Sequence, residues 1–504
     1  MTGCHDPRET VLKARARPAA EGISGADGAG DRLGPSLIIG LLLLAGCYDR
    51  ETGLRLGGGA LFAALYLFAG ALCLVLYIAA RIRVAAGGGI PLRRLGYLAI
   101  LTAFTGNVFA AIAGFSIIRE KRSLEYELCY YALLNDLLVM LISLLNYFKD
   151  VLAAYFYVGI GLLAATVVLY LAALVAIERA QASGHYRRLA PLAVVLILSA
   201  GLGNLFALLL GLVILVRIKN EGNARTIQWV DTIRRIYRNY MAVLGFLIIS
   251  LLLTLAVVSA FTFHYGYAVS NDYGNLLREP CLEYPFGTDN LGLCVFTRIV
   301  FGARISLIIG IISTAVPIVV GGLLGAMSGY YSERLDNGIM RILDVLYAIP
   351  STLLTIAIVA AFGANTLNLI VALSISNVPV YARTMRAQVM MAANSEFVEA
   401  ARSCGRHEWQ ILVLHIIPNS LAQIIVRASV SIGIAVLSTS SLSYLGLGVE
   451  PHIPEWGNIL KVGSPYLETD PYLAIYPGLF IIVLVLAFNF LGDGLRDALD
   501  PKLK

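Results

Sequence analysis

The chain has 504 residues, of which 58% are hydrophobic and 14% are charged, and its mean hydropathy is +0.78. Soluble domains carry about one-quarter charged residues, so this composition excludes a water-soluble globule. The continuous apolar runs exclude a porin-type barrel, whose strands alternate in polarity. The net charge is +6. The basic residues lie in short loops between the apolar runs, so the sequence gives no support for nucleic-acid binding. The sequence therefore predicts an all-α, polytopic membrane protein.

The N-terminal half begins with a polar segment and continues with apolar runs. Residues 1–35 are rich in Gly, Ala, Arg and Asp and are predicted to form a disordered tail. Because a spanning helix needs about 20 apolar residues, residues 36–216 are predicted to form an additional, separable transmembrane module of five or six helices with unknown function. Its apolar runs lie at about 36–48, 59–80, 95–118, 128–148, 151–177 and 190–216.

The first apolar run leaves two interpretations open. It ends in Leu44-Ala45-Gly46-Cys47, which looks like a bacterial lipoprotein cleavage box with Cys47 as the lipidated residue. A short first helix or re-entrant segment fits the same residues, since the preceding leader is long for a signal peptide.

The basic stretch 217–239 is predicted to be a cytoplasmic linker, because Lys and Arg mark cytoplasmic loops. Residues 240–504 are predicted to form a domain of six transmembrane helices with both ends in the cytoplasm. Its apolar runs lie at about 241–264, 300–328, 343–362, 367–382, 420–447 and 472–492. If successive spans of the first half cross the membrane in alternating directions, Arg187 and Arg188 lie outside. That placement conflicts with the enrichment of Lys and Arg in cytoplasmic loops.

Motifs for catalysis are absent from the sequence. It contains no G-x-x-x-x-G-K-[ST] phosphate loop, no H-E-x-x-H and no C-x-x-C. Cys404 and His407 are three residues apart, but two ligands do not make a metal site. We therefore expect no enzyme activity, no metal and no cofactor in this chain. An ionisable residue inside a span is a functional candidate by default, and Asp136 is the clearest one in the first half.

The loop 393–419 is the most informative segment. Ser395 is predicted to cap a short helix with Glu396 in its first turn, where the helix dipole favours an acid. Gly405 stands where a helix ends in a left-handed residue, and Pro418 opens the next helix. The sequence thus predicts two short helices that meet at a bend at Gly405.

This loop resembles the E-A-A loop of ATP-binding-cassette (ABC) importer permeases. The matching residues are Glu399, Ala400, Ala401, Gly405, His415, Ile417 and Pro418. Further motifs look like those of the C-type permease subunit of dipeptide, oligopeptide and nickel importers, and together they cover roughly 230–504. They are Phe286 to Asp289, Gly302 to Ser306, Ser443 to Gly448, Trp456-Gly457, Pro477-Gly478 and Asn489 to Lys504.

The resemblance implies a multi-pass permease of the cytoplasmic membrane that forms half of a translocation pore. Its implied partners are membrane lipid, a sister permease, an extracytoplasmic binding protein and two cytoplasmic ATPases, which bind ATP and Mg and dock on the E-A-A loop. The implied substrate is a peptide, with nickel as the alternative. A secondary transporter, or a membrane enzyme or sensor, is a rival class, but the sequence shows neither an intramembrane charge ladder nor a repeat between its halves.

One departure from the family pattern carries a prediction. The family has Arg-Asp where this chain has Leu293-Cys294. Cys281 and Cys294 both fall in a predicted outside loop, where disulfides persist. We therefore predict a disulfide between Cys281 and Cys294, with two free thiols as the alternative.

Overall fold

The computed structural model describes residues 123–183, 186–219 and 227–499, together with 48–49, 53–54, 64–72, 74–75 and 78. The predicted tail 1–35, Cys47 and most of the first three apolar runs lie outside these residues. The chain divides into two compact units, 1–130 and 131–504. In the first unit, strands Tyr48–Asp49 and Gly53–Leu54 pair antiparallel.

Nearly all described residues are helical. The α-helices are α1 Leu124–Leu144, α2 Phe156–Ser183, α3 Ala190–Ser199, α4 Leu205–Lys219, α5 Ile227–Arg238, α6 Tyr240–Thr262, α7 Gly266–Val269, α8 Val295–Tyr330, α9 Glu333–Ala348, α10 Ser351–Phe362, α11 Thr366–Ala393, α12 Glu396–Ser403, α13 Glu408–Ile411, α14 Ile417–Leu445, α15 Trp456–Gly463 and α16 Tyr472–Leu499. The 3₁₀ turns are Leu145–Phe148, Tyr186–Leu189, Ala200–Leu202 and Ser464–Tyr466, and a π-helical turn covers Leu412–Ile416.

Six of the described helical segments are long and apolar enough to cross a membrane. They are Leu124–Phe148, Phe156–Gln181, Tyr240–Thr262, Val295–Tyr330, Glu408–Leu445 and Tyr472–Leu499. The all-α membrane fold predicted from the sequence is therefore confirmed.

Two predicted spans of the second half take a different form. The run 343–362 is divided between α9 and α10, which are bent by 84° at Ile349-Pro350. Proline lacks an N–H and disfavours helical geometry in the residue before it, and Ile349 is extended, with ψ of 126°. The run 367–382 lies inside the longer α11, which continues to Ala393.

The predicted single span 190–216 is instead a helical hairpin. Helices α3 and α4 turn back on each other at Gly203, whose φ of +99° favours glycine. A Cβ added to Gly211 of α4 would lie 2.9 Å from the carbonyl oxygen of Ala193 in α3. At the open end, the Arg217 guanidinium lies 3.9 Å from the ring centroid of Tyr186. Apolar composition alone did not reveal the turn.

The tip of this hairpin packs against the middle of α6. A Cβ on Gly203 would lie 2.8 Å from the Cα of Thr254, so only glycine permits this approach. The neighbouring Asn204 is fully buried, and its amide donates to the Asp136 carboxylate at 2.7 Å. Its side-chain oxygen accepts from the backbone N–H groups that begin α4. The hairpin tip is thus fixed by polar contacts within an otherwise apolar region.

Asp136 is the centre of this buried polar cluster. The Thr166 hydroxyl of α2 donates to its second carboxylate oxygen at 2.5 Å. The adjacent Asn135 donates to Asp136 at 3.3 Å and to the Thr254 hydroxyl of α6 at 2.9 Å. The Asp136 carboxylate therefore connects α1 with α2 and the hairpin. The adjacent Asn135 connects this cluster to α6.

A second set of contacts lies at the end of α6 that is predicted to face outside. The Asn146 amide donates to the Thr262 carbonyl oxygen at 3.2 Å. Lys149 is buried, its ammonium donates to the Thr297 hydroxyl at 2.5 Å, and burial lowers its pKa. Residues 131–219 therefore pack in the same compact unit as the helices that follow. The additional, separable module of 36–216, with unknown function, stays a prediction.

Several motifs that resemble those of the C-type permeases meet around Trp456, which is fully buried. Its indole N–H donates to the Ile299 carbonyl at 2.9 Å, and a Cβ on Gly302 would lie 2.7 Å from its ring. Glu455 caps α15 by accepting from the Gly457 N–H at 2.8 Å. A Cβ on Gly457 would also lie too close to the Ser440 carbonyl oxygen of α14, so Gly302 and Gly457 are required by close packing of α8, α14 and α15.

Candidate functional site

The predicted two-helix loop is present between α11 and α14. Helix α12 begins after Ser395, which has extended backbone geometry but makes no capping hydrogen bond with its side chain. Glu396 and Glu399 lie in its first turn, where the positive end of the helix dipole stabilises a carboxylate. Helix α13 follows after His407 and continues through the π-helical turn into α14.

Gly405 forms the predicted bend. Its φ is +77°, and the Arg406 N–H behind it donates to the Ala401 carbonyl at 3.3 Å, closing the helix end. A Cβ at this position would meet nothing within 4 Å. Glycine is therefore favoured here by backbone conformation alone and not by space.

An ion pair connects the two short helices across this bend. Arg402 Nε lies 2.9 Å from Glu408 Oε1, and Arg402 NH2 lies 3.2 Å from Glu408 Oε2. Tyr330, the last residue of α8, donates its hydroxyl to the same carboxylate. The hydrogen bonds to Glu408 raise the pKa of Arg402 above its already high usual value. The arginine therefore keeps its charge, and the bend angle is held by a two-point contact.

A single buried side chain anchors α12 to the transmembrane helices. Val398 is fully buried in a cluster with Met385 and Val389 of α11 and with Ile411 and Ile416. Movement of α12 must therefore be transmitted to α11 and α14, because the interior is close-packed and resists deformation.

The opposite face of the loop is exposed. Glu399, Ala400 and Gly405 are exposed, and Ala401 is half-buried. Trp409 and Phe397 also expose 58% and 40% of their surface. Exposed apolar residues beside a small-residue surface mark an interaction site. The short alanine side chains let another surface approach the backbone closely.

The remaining predicted loop residues lie where α13 continues into α14. His415 is in the π-helical turn, and its carbonyl accepts from the Asn419 amide at 2.7 Å. Ile417 is half-buried and Pro418 is exposed. The structure thus brings all the resemblance residues of the loop into one continuous element between α11 and α14, which is predicted to lie in the cytoplasm. Sequence reasoning missed Tyr330, Val398 and Glu408, although the spacing of Arg402 and Glu408 across a glycine offered a signal for that pair.

The predicted disulfide between Cys281 and Cys294 is not formed. Both residues are free thiols; Cys281 is exposed and Cys294 is buried. The Cys281 sulfur accepts from the Tyr284 N–H at 3.4 Å. Cys294 immediately precedes α8, and its sulfur lies 3.5 Å from the Lys149 ammonium. Its side chain is therefore enclosed in the core and turned toward Lys149, away from the loop surface.

The fold is that of a polytopic membrane protein, and the two-helix loop between α11 and α14 has an exposed face. Comparison with known proteins gives its family. Residues 321–504 match "Binding-protein-dependent transport system inner membrane component", and residues 228–280 match "N-terminal TM domain of oligopeptide transport permease C".

Relatives match about half of the chain. The dipeptide transport system permease protein DppC of Alkalihalophilus pseudofirmus is 40% identical over 276 residues, 55% of this chain and 90% of the relative. The glutathione transport system permease protein GsiD of Pectobacterium atrosepticum is 42% identical over 276 residues, 55% of this chain and 92% of the relative. An inward-facing MetNI methionine ABC transporter structure matches 40% of this chain and 97% of that chain, with 19% identity and a TM-score of 0.34.

The chain belongs to the family of binding-protein-dependent transport system inner membrane components. It is a multi-pass transport permease of the inner membrane, and the resemblance to the C-type permeases of ABC importers is confirmed.

Proposed function

We propose that this chain is the C-type permease of a peptide importer and forms half of its pore. Two relatives support a peptide substrate, since one is named for dipeptide and the other for glutathione transport. Nickel is the alternative within the same family. A secondary transporter is not favoured, because the matched family consists of binding-protein-dependent permeases.

The partners follow from the proposed assembly. A sister permease completes the pore, an extracytoplasmic binding protein delivers the peptide, and two cytoplasmic ATPases hold ATP and Mg. This chain binds no nucleotide itself and performs no hydrolysis. The observation that carries the proposal is the exposed surface of Glu399, Ala400 and Gly405 on a helix anchored by Val398.

The geometry supports a mechanical role for this loop. ATP closes the two ATPases, and the ATPase that holds α12 moves it as a rigid body. The Arg402–Glu408 pair preserves the angle between α12 and α13, while Val398 transmits the movement to α11. The membrane helices then tilt and expose the pore to one side at a time.

The domain division is part of the same proposal. Residues 240–504 form the permease domain, 36–216 form the additional membrane module, and 217–239 form the cytoplasmic linker. Helix α5 within this linker presents Arg234 and Arg238, and its amphipathic sequence suits the surface of an anionic leaflet.

Reconstituted transport tests the proposal. The full chain, its sister permease, both ATPases and the binding protein are placed in proteoliposomes, and uptake of a radiolabelled dipeptide is followed with and without ATP. We expect ATP-dependent dipeptide uptake that Glu399→Ala reduces strongly, while Glu468→Ala, at an exposed acid of the outer loop, has no effect. Uptake of nickel alone would contradict the peptide assignment, and uptake without ATP would contradict the importer assignment.

A further inference from the structure

An open groove lies between the additional module and the permease helices. It has a volume of about 510 Å³ and is bounded by residues 153–155 ahead of α2, the outer end of α6, residues 264–266 and α8. Residues 153–155 precede the first residue of the family match, at 228. One wall of the groove is therefore formed by the additional module.

Arg304 of α8 is the central charge in this groove. Its Nε and NH2 donate to the Ala256 carbonyl of α6 at 3.2 and 3.0 Å, and its guanidinium lies 5.8 Å from the Phe301 ring. Throughout residues 123–183, 186–219 and 227–499, no carboxylate forms an ion pair with it. Its positive charge is thus held by one carbonyl and one aromatic ring.

The depth of Arg304 makes this charge costly. Ala256 lies six residues before Thr262, the last residue of α6, which is roughly 9 Å along the helix axis. A cation below the membrane surface requires a counter-ion or water. The half-buried guanidinium reaches the groove, so an anion in the groove would satisfy it.

The other lining residues resemble a lipid binding site at the membrane interface. Tyr155 and Tyr265 are 63% and 48% exposed, and such aromatic rings are enriched at headgroup level. Ala260 and Phe263 provide an apolar wall at the end of α6, and His264 stands at the rim. Among the described residues no carboxylate lines the groove, so a headgroup that carries an ammonium finds no carboxylate partner there.

We propose that this groove binds one anionic phospholipid of the outer leaflet, with its phosphate on Arg304 and an acyl chain along Ala260 and Phe263. A headgroup without an ammonium, such as that of phosphatidylglycerol, fits the charge of the lining. The inference depends on the membrane placement of the chain and not on the transported substrate.

Lipid binding to the assembled transporter tests the proposal. The detergent-purified complex is analysed by native mass spectrometry with phosphatidylglycerol or phosphatidylcholine of identical acyl chains. We expect phosphatidylglycerol to be retained more tightly by the wild type, and Arg304→Gln to weaken it about tenfold, as expected for the loss of a charge-assisted phosphate contact. Arg304→Lys should restore part of the affinity.

A second variant leaves the Arg304–Ala256 contact intact. Ala154→Trp adds bulk to the wall of the groove, and we expect it to weaken phosphatidylglycerol binding while the complex remains assembled. Inorganic phosphate at millimolar concentration should not displace the lipid. Equal retention of both lipids, displacement by phosphate, or unchanged binding in both Arg304→Gln and Ala154→Trp would overturn the proposal. The proposal would also be overturned if phosphatidylglycerol bound to the isolated chain but not to the complex that contains the sister permease.

Discussion

The guanidinium of Arg402 and the carboxylate of Glu408 face each other across Gly405, with two N–O contacts of 2.9 and 3.2 Å. The side chains remain 54% and 49% exposed, so water and salt screen the pair and its contribution to global stability is small. Its position is more informative than its strength, because it fixes the angle between two helices on one continuous cytoplasmic surface.

The first prediction concerns this pair. Glu408→Gln removes the charge while keeping the shape, and we expect an unchanged thermal unfolding midpoint but reduced coupling of ATP hydrolysis to uptake. The exchange Arg402→Glu with Glu408→Arg should recover part of the coupling, since it restores opposite charges across the bend. The ratio of ATP hydrolysed to substrate transported checks this. If Glu408→Gln keeps the wild-type ratio, the pair has no role in the angle of the loop.

The second prediction concerns the side of the membrane on which the hairpin α3–α4 begins. Its two ends lie together at Tyr186 and Arg217, so both ends open to the same side. The linker after Lys219 is basic and is therefore predicted to be cytoplasmic, so Arg187 and Arg188 are predicted to lie in the cytoplasm as well. We therefore predict that the hairpin is re-entrant, which removes the violation that a continuous span would create.

Labelling of single cysteines with an impermeant maleimide tests this topology. In a background that keeps only Cys129 and Cys294, which are both buried, an impermeant maleimide should label Arg188→Cys only after the membrane is opened. Cys281, restored alone, should react on intact spheroplasts without reductant, and Cys404, restored alone, should react only after opening. Labelling of Arg188→Cys from outside would show that 190–216 crosses the membrane.

The third prediction concerns the buried cluster around Asp136. Asp136→Leu removes the acceptor of one Asn204 amide hydrogen, whereas the Thr166 hydroxyl keeps the Leu163 carbonyl at 2.9 Å as an acceptor. One buried donor left unsatisfied costs about 1–3 kcal/mol. Thermal unfolding of the detergent-purified chain should therefore shift to lower temperature. Asp136→Asn keeps a carbonyl acceptor of the same size and should shift it less. Equal shifts for both variants would mean that charge, not hydrogen bonding, fixes the hairpin tip.

Sequence and structure agree best where local chemistry is decisive. The bend at Gly405 was predictable because a left-handed residue at a helix end selects glycine, and Pro350 explains the break before α10. The hairpin at Gly203 was not predictable, because α3 and α4 are apolar on all sides and read as one continuous run. Its cause is tertiary: the approach of Gly203 to Thr254 and the bond from Asn204 to Asp136 connect residues far apart in sequence.

The disulfide prediction failed for a similar reason. Loop position and compartment favoured a bond between Cys281 and Cys294, but neither shows which way a side chain points. Cys294 is held beneath the loop beside Lys149, a residue of the additional module that sequence analysis did not associate with it.

The fourth prediction concerns Gly405, the bend of the coupling loop. Valine at this position meets no neighbouring atom, so the only penalty is the left-handed backbone, ~1–2 kcal/mol for a residue with a Cβ. That is small for a protein of this size, and the chain should insert normally. A rotated α12 no longer fits its ATPase, because docking of a rigid helix tolerates little displacement. Gly363 is the control, in the loop after α10 that is predicted to lie outside. Its φ of +93° and ψ of 149° strain a residue with a Cβ at least as much as the left-handed conformation does, and no atom lies within 4 Å of an added Cβ.

ATP-driven uptake by proteoliposomes that contain the Gly405→Val or the Gly363→Val transporter tests the coupling role of this loop most directly, with ATPase pull-down from the same preparations. We predict that Gly405→Val abolishes uptake and weakens ATPase binding, whereas Gly363→Val, with backbone strain at least as large in a loop predicted to lie on the other side of the membrane, transports like the wild type. Wild-type uptake by Gly405→Val would contradict the assignment of α12 as the coupling element.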